Sequence, residues 1–238
     1  MPERFVFRQV DYRDVGTFLA DGEIRSKNHA DLQRCHRASF QEIVDRRGTS
    51  EFEMPNGGVV NDYVPFYFCP ITSFTYTIYK RNVPLISPNG DVLGKACEDD
   101  RVFFVARPGN FRSTGVSFCF SDFALNSQAP LPTIETNLDL IEKHVHWNVF
   151  DESLDTAKIP EIGYLGVCRW FHNMASPSYR MTRSSKRMAE FLVHDAVRLD
   201  NIGCIIVKTG EMREQLAPIM EDSNWNIPIY VNRGCYFG

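Results

Sequence analysis

The first fifth of the chain alternates between strand-like and helix-like patterns of apolar positions. Residues 4–10 alternate in the manner of a strand. Residues 14–19 place Val15, Phe18 and Leu19 at helical spacing, and Gly22 follows as a stop signal. Residues 40–47 form a second helical tract that ends at Gly48. These patterns predict a strand followed by two helices.

An aromatic run at 63–68 predicts a central strand, although Pro65 restricts it to a strand start, an edge or a bulge because proline cannot donate to a ladder. Further strands are predicted at 101–107, 115–121, 188–194, 202–208 and 227–231, and helices at 137–145 and near 210–220. The elements show no βαβ period, which favours a mixed α+β domain over a doubly wound sheet. No repeat or linker divides the chain, so we expect one domain over residues 1–238.

Composition supports a folded protein and limits the chemistry. The chain is 43% hydrophobic and 13% aromatic, which excludes disorder, and it lacks the run of about 18 apolar residues that a membrane span needs. The N-terminus does not resemble a signal peptide, so we expect a cytoplasmic protein. The seven cysteines form no CxxC pair, which favours buried thiols over disulfides or zinc, and we expect no metal site.

The charge distribution is uneven. The net charge of −4 argues against a protein that coats nucleic acid nonspecifically. Two basic clusters nevertheless leave room for a local basic groove. The first contains Arg25, Lys27, Arg34, Arg37, Arg46 and Arg47, and the second contains Arg169, Arg180, Arg183, Lys186 and Arg187.

Several common catalytic motifs are missing from the sequence. It contains no P-loop, no GxGxxG after a strand, no HExxH and no GxSxG. Glu190 is unusual because it interrupts an apolar run directly after the second basic cluster. On a strand it would share a face with Met188 and Leu192, where a carboxylate is costly unless it is paired. A surface-facing glutamate on an edge strand is the alternative.

Three segments resemble the DarT family of toxins, which are NAD-dependent ADP-ribosyltransferases that act on single-stranded DNA. They read Gly-Gly-x-x-x-Asp-Tyr-Val-Pro-Phe-Tyr-Phe at 57–68, Ala-Glu-Phe-Leu-Val at 189–193 and Arg-Gly-Cys-Tyr-Phe-Gly at 233–238. The resemblance runs nearly end to end. It implies an ADP-ribosyltransferase fold, a split β-sandwich with NAD in a central cleft. It also implies a cognate antitoxin, DarG-like or another ADP-ribosyl hydrolase, that reverses the mark or binds the toxin.

The resemblance also implies the roles of individual residues. The catalytic pair corresponds to Arg47 and Glu190, with Arg46 as the alternative arginine. The NAD contacts correspond to Gln9, Asn28, Arg47 and Tyr67, and Gln9 stands where many members have histidine. Glu190 could stabilise the positive charge that develops when nicotinamide leaves and accept the proton of the incoming base. The fork of donors on Arg47 suits the NAD diphosphate.

The sequence also gives expectations for the acceptor. Arg183, Lys186 and Arg187 precede Glu190 and are interpreted as DNA phosphate contacts at the mouth of the cleft, with an ordinary solvated face as the alternative. Many thymine-modifying members have a histidine where this chain has Phe123 and Ala124, so we expect guanine rather than thymine. Transfer to RNA or protein, or NAD binding without catalysis, are the alternative functions.

Overall fold

The computed structural model describes residues 3–49 and 54–238. The strands are β1 (Val6–Asp11), β2 (Glu23–Arg25), β3 (Arg37–Ala38), β4 (Tyr63–Tyr67), β5 (Pro84–Ile86), β6 (Val92–Lys95), β7 (Arg101–Ala106), β8 (Phe118–Ser121), β9 (Ile134–Glu135), β10 (Glu190–His194), β11 (Ala196–Arg198), β12 (Ile202–Val207) and β13 (Ile229–Val231). The α-helices are α1 (Val15–Asp21), α2 (Gln41–Arg47), α3 (Ser73–Tyr79), α4 (Ile141–His144), α5 (Arg183–Lys186) and α6 (Gly210–Glu221).

Most of these strands belong to one mixed sheet. In the described part of the chain it has eight strands in the order β13-β12-β7-β1-β4-β10-β8-β9. Strands β12 and β13 are parallel, and the other neighbouring pairs are antiparallel. Two small sheets, β2 with β11 and β3 with β5 and β6, lie outside it. The predicted α+β class is therefore confirmed.

The core forms where apolar runs meet on both sides of this sheet. Strand β7 reads Arg-Val-Phe-Phe-Val-Ala, and all six of its residues are buried between β1 and β12. A central strand that is covered on both faces requires a continuous apolar run rather than alternation. Helix α6 contributes Met212, Leu216 and Met220, whose spacing of four residues places them on one buried stripe.

Strands β1 and β4 diverge in the middle of the sheet. Between the described strands they share one register pair, Phe7 with Tyr67, whereas β1 pairs with β7 from Val6 to Asp11. Strand β4 is therefore central rather than an edge, which corrects the restriction predicted from Pro65. The proline is tolerated because it lies beyond the single pair with β1, where a missing N–H breaks no bond to that strand.

The local patterns predict most elements but not all of them. Helices α1, α2 and α6 are confirmed, and Gly22 adopts the left-handed conformation (φ 74°) that ends α1. The helix predicted at 137–145 is shorter, since only Ile141–His144 is α-helical. Helix α3 was not predicted. None of the helices in the described ranges combines the length and apolar character that crossing a bilayer requires.

Candidate active site

Arg47 and Glu190 form a bidentate ion pair between the end of α2 and the start of β10. The two terminal nitrogens of Arg47 donate to the two carboxylate oxygens of Glu190, Nη1 to Oε1 at 2.9 Å and Nη2 to Oε2 at 2.7 Å. The Glu190 side chain is only 4% exposed. A buried carboxylate is tolerated when a matching fork of donors satisfies it. The alternative of a surface-facing Glu190 is therefore wrong.

Burial and ion pairing shift the pKa of Arg47 in opposite directions. Burial lowers the pKa of the Arg47 guanidinium, but the charge and hydrogen bonds of Glu190 outweigh it and leave that pKa above its ordinary value. Tyr67 is the register partner of Glu190 across β4 and β10. Burial, with the negative charge of Glu190, raises the pKa of the Tyr67 phenol. Arg47 therefore stays charged, and Tyr67 presents a neutral aromatic ring.

The pair opens onto a cavity of about 1530 Å³. Gln9, Tyr67, Arg47 and Glu190, which the resemblance assigns to NAD binding or catalysis, all line it. Arg46 lines it too, but it is Arg47 whose guanidinium engages Glu190. Typical small-molecule pockets have volumes of about 300–1,000 Å³. This cavity therefore has room for a dinucleotide and part of a second substrate.

The walls of the cavity carry an excess of positive charge. Among the residues that the structure describes, eight cationic side chains face three carboxylates across it. The cations are Arg8, Arg25, Lys27, Arg34, Arg37, Arg46, Arg47 and Arg101, and the carboxylates belong to Asp14, Glu42 and Glu190. The whole first basic cluster of the sequence thus surrounds the cavity. Arg25 and Arg101 are paired with carboxylates outside this lining, but the cations still outnumber the described carboxylates around them, which favours anionic ligands.

Asn28 lies near the cavity without lining it. Its side-chain amide donates to Asp62 Oδ1 at 2.7 Å. Asp62 in turn accepts from the Val59 amide at 2.7 Å. Gly58 permits this arrangement, because a Cβ at that position would lie 2.2 Å from Asp62 Oδ2. Asn28 therefore ties the 26–28 segment to the Gly-Gly-x-x-x-Asp block, and its predicted NAD contact stays a prediction.

The structure contradicts the placement of Arg183, Lys186 and Arg187 at the mouth of the cleft, because all three are buried. Arg183 pairs with Glu152, and Lys186 donates to the Tyr179 carbonyl at 3.0 Å. Arg187 donates to the backbone carbonyls of buried segments. These side chains hold the protein together rather than presenting charge to a phosphate backbone. The neighbouring cavity wall is formed instead by Ser184 and Ser185.

Two further features of the cavity were missed from the sequence. His36, which is partly exposed, pairs with the buried Asp14: Asp14 Oδ1 lies 2.7 Å from Nδ1 of His36, and Asp14 Oδ2 accepts from the His36 backbone N–H at 2.9 Å. Arg8, which the alternation of β1 presented as an ordinary strand residue, also lines the cavity. Neither forms a local motif, because their partners lie 22 and 57 residues away along the chain.

The segment that follows Asp122 is only partly in the cavity. Ala124 lines it, but Phe123 is buried against His146, with ring centroids 4.7 Å apart. A histidine from a distant segment therefore stands next to the position where the sequence lacks one. No group of three or more His, Cys, Asp or Glu side chains in the described ranges could hold a metal ion.

The split sheet and its cavity have the fold of DarT ADP-ribosyltransferases. The structure "Thermus sp. 2.9 DarT in complex with ADP-ribosylated ssDNA" is similar with a TM-score of 0.76 and 19% identity, over 99% of this chain and 97% of the other. The same DarT in complex with NAD+ has a TM-score of 0.70 and 18% identity, over 99% and 98% of the two chains. Thermosipho africanus DarTG in complex with ADP-ribose gives 0.65 and 15%, over 98% of this chain and 51% of the other.

Sequence comparison identifies the family. The family model described as "ssDNA thymidine ADP-ribosyltransferase, DarT" matches residues 11–237. The chain therefore belongs to the DarT family, as the resemblance implied. A DNA ADP-ribosyl transferase of Thermus sp. (strain 2.9) is 46% identical over 41 residues, 17% of this chain. That alignment spans 20% of the relative's own length.

Proposed function

We propose that this chain transfers ADP-ribose from NAD+ to a base of single-stranded DNA and releases nicotinamide, with the whole chain acting as one catalytic domain. The observation that carries the proposal is the buried bidentate pair of Arg47 and Glu190 on the wall of a cationic cavity. Membership of the DarT family supports the reaction class. The solved complexes of Thermus DarT with NAD+ and with ADP-ribosylated single-stranded DNA support both substrates.

Glu190 is the catalytic carboxylate in this proposal. NAD+ would supply an ADP-ribosyl group and a neutral leaving group, since breaking the bond between nicotinamide and the ribose C1′ develops positive charge at the ribose. Glu190 stabilises that charge. When the base nitrogen bonds to C1′, the proton of that nitrogen passes to the Glu190 carboxylate. Each carboxylate oxygen can accept more than one hydrogen bond, so Glu190 can do this while paired with Arg47.

Arg47 holds the carboxylate in place. A guanidinium has five N–H donors, and the pair with Glu190 uses two of them. The remaining donors can contact the donor substrate, as proposed for the NAD site together with Gln9, Asn28 and Tyr67. The neutral ring of Tyr67, beside Glu190 in the sheet, offers an aromatic surface for nicotinamide.

Single-stranded DNA suits this cavity as the acceptor. A base in a duplex hides its reactive edge, and extruding it costs a few kcal/mol. The cations of the first basic cluster line the cavity and can meet both the diphosphate of NAD+ and DNA phosphates. We place the reaction in the bacterial cytoplasm, where both substrates occur. The similarity to Thermosipho africanus DarTG supports a cognate antitoxin as partner.

Different observations favour guanine and thymine as the acceptor base. The segment with Phe123 and Ala124 lacks the histidine of many thymine-modifying members, which favours guanine, and Ala124 leaves room on the cavity wall. The description of the family favours thymine, and His146 beside Phe123 weakens the argument from a missing histidine. We propose guanine as the acceptor base, with thymine as the alternative.

The test of the reaction is mass spectrometry of single-stranded oligonucleotides after incubation with NAD+ and each variant. Glu190→Gln should lower the rate about 100- to 1000-fold while NAD+ still binds, because the lost charge acts mainly in the transition state. Glu221→Gln, an exposed change at the end of α6, is the matched control and should react normally. A Glu190→Gln rate above about a tenth of the control would refute the catalytic assignment.

The acceptor is decided by parallel reactions with RNA, protein and four oligonucleotides that each lack one base. Label on RNA or protein in preference to DNA would replace the proposed acceptor. Loss of modification only in the guanine-free strand supports guanine. Loss only in the thymine-free strand establishes thymine instead.

A further inference from the structure

Arg8 carries a positive charge on the cavity wall without a counterion. It lies on β1 beside the point where β1 and β4 diverge, and it lines the cavity. The one hydrogen bond of its side chain in the described residues runs from Nη1 to the Pro65 carbonyl at 3.1 Å. Its Nε is buried and has no partner there. None of the ion pairs in those residues includes Arg8, whereas Arg47 is paired with Glu190.

This arrangement leaves an uncompensated charge next to the catalytic pair. Arg8, Arg47 and Glu190 together carry one positive charge in excess. Burial lowers the pKa of Arg8, and the nearby charge of Arg47 lowers it further, against smaller opposing effects from Tyr67 and Glu190. Holding a cation away from water without a counterion is unfavourable unless another group compensates it. An anionic group bound in the cavity would provide that compensation.

The orientation of the guanidinium indicates which kind of anion fits. Nη1 donates to the Pro65 carbonyl, whereas neither Nε, which is buried, nor Nη2 has a hydrogen-bond partner among the described residues. The edge formed by Nε and Nη2 is the fork with which arginine binds two oxygens of a carboxylate or phosphate. The anionic part of the donor substrate proposed above is a diphosphate.

We propose that Arg8 binds the diphosphate of NAD+ through its Nε and Nη2 edge, while Arg47 remains paired with Glu190. The assignment rests on the proposed function, since it takes NAD+ as the ligand. The two arginines then have separate roles. Arg8 contributes ground-state affinity for NAD+, and Arg47 positions the carboxylate that acts on the ribose. The competing role for Arg8 is a structural strut that joins β1 to β4 through Pro65.

The experiment compares Arg8→Gln with wild type in calorimetric binding of NAD+, ADP-ribose and adenosine, together with thermal unfolding of the free protein. Arg8→Gln should weaken NAD+ and ADP-ribose about 10- to 100-fold, the range for losing a charged hydrogen-bond donor to a phosphate. Adenosine, which has no phosphate, should bind as before. The melting temperature should not fall, because an uncompensated charge is removed. Arg198→Gln, an exposed arginine paired with Asp200, is the matched control.

Three results would overturn the assignment. Equal affinity of wild type and Arg8→Gln for ADP-ribose would remove Arg8 from the donor site and leave the proposed function standing. An equal loss for adenosine and ADP-ribose, with a lower melting temperature, would establish the strut. Failure of the wild type itself to bind NAD+ and ADP-ribose would refute the proposed function, and this assignment with it.

Discussion

Replacing Arg187 with leucine would leave four backbone carbonyls without their charged donor. Its Nη1 donates to Cys168 at 2.6 Å, to Val149 at 3.2 Å and to Trp170 at 3.3 Å. Its Nη2 donates to Ile71 at 2.8 Å. One buried side chain thereby joins three segments that are distant in sequence. We expect its loss to affect folding rather than DNA binding.

The expected loss of stability follows from the four carbonyls that lose their hydrogen-bond donor. A buried carbonyl that loses its partner costs about 1–3 kcal/mol, and such losses are not additive because water and relaxation compensate in part. Breaking a buried hydrogen-bond network of this kind is among the changes that cost most, and we take about 3–5 kcal/mol for the four overlapping losses. For a chain of this length, each kcal/mol lowers the melting temperature by about 2–4 °C, so Arg187→Leu should lower it by about 6–20 °C.

Thermal and urea unfolding measure this loss, and fluorescence anisotropy with a labelled oligonucleotide measures DNA affinity. Arg169→Leu is the matched control from the same basic cluster, since its side chain is 62% exposed and its ion pair with Asp155 spans 3.5 Å. An exposed pair of this kind contributes about 0–1 kcal/mol. An Arg187→Leu protein that unfolds like wild type but has lost DNA affinity would refute the structural reasoning and restore the phosphate contact.

Gly58→Ala should destabilise the fold about 1–3 kcal/mol more than Gly57→Ala in urea denaturation: both glycines have positive φ, but only at Gly58 would the new Cβ meet Asp62. Equal losses would show that the contact with Asp62 does not matter. Burial alone would raise the pKa of Asp11, but its bonds with Arg13 and its pairing with Arg101 hold that pKa below the ordinary value. A carboxyl with a lowered folded-state pKa stabilises the protein above its unfolded-state pKa, and that contribution is lost as the pH falls through the folded-state pKa. The free energy of unfolding of Asp11→Asn should therefore depend less on pH than that of wild type below about pH 4, and parallel curves would contradict this. The rate of DNA modification should fall as salt rises from about 50 to 200 mM, and a rate independent of salt would exclude phosphate contacts.

The elements that the sequence predicted are those whose signal is local. Helix α2 combines apolar spacing with Gly48, and β7 is a continuous apolar run. Helix α3 was missed because its Phe, Thr, Tyr and Ile residues have modest helix propensity. The available signal was the capping box of Thr72 and Thr75, whose side chains and backbone amides bond reciprocally.

The residues of the site come together through long-range contacts, which spacing along the sequence cannot reveal. Arg47 and Glu190 are 143 residues apart, and only the family resemblance brought them together. Charge normally predicts exposure, so the cluster around Arg187 was interpreted as a surface, although its acceptors come from segments 17 to 116 residues away. Arg8 was missed because its importance depends on its position next to Arg47 and Glu190 in the folded protein, which the sequence spacing does not reveal.

The divergence of β1 and β4 gives a central part of the sheet the properties of an edge. Beyond the Phe7–Tyr67 pair, the backbone amides and carbonyls of these two strands are not bonded to each other. Backbone groups survive side-chain substitution, so recognition that uses them tolerates mutation of the surrounding residues, with proline as the exception already present at Pro65. The side chains along such a divergence can therefore change while its backbone groups stay the same. We expect amide hydrogen exchange along this divergence to slow when NAD+ binds in the cavity.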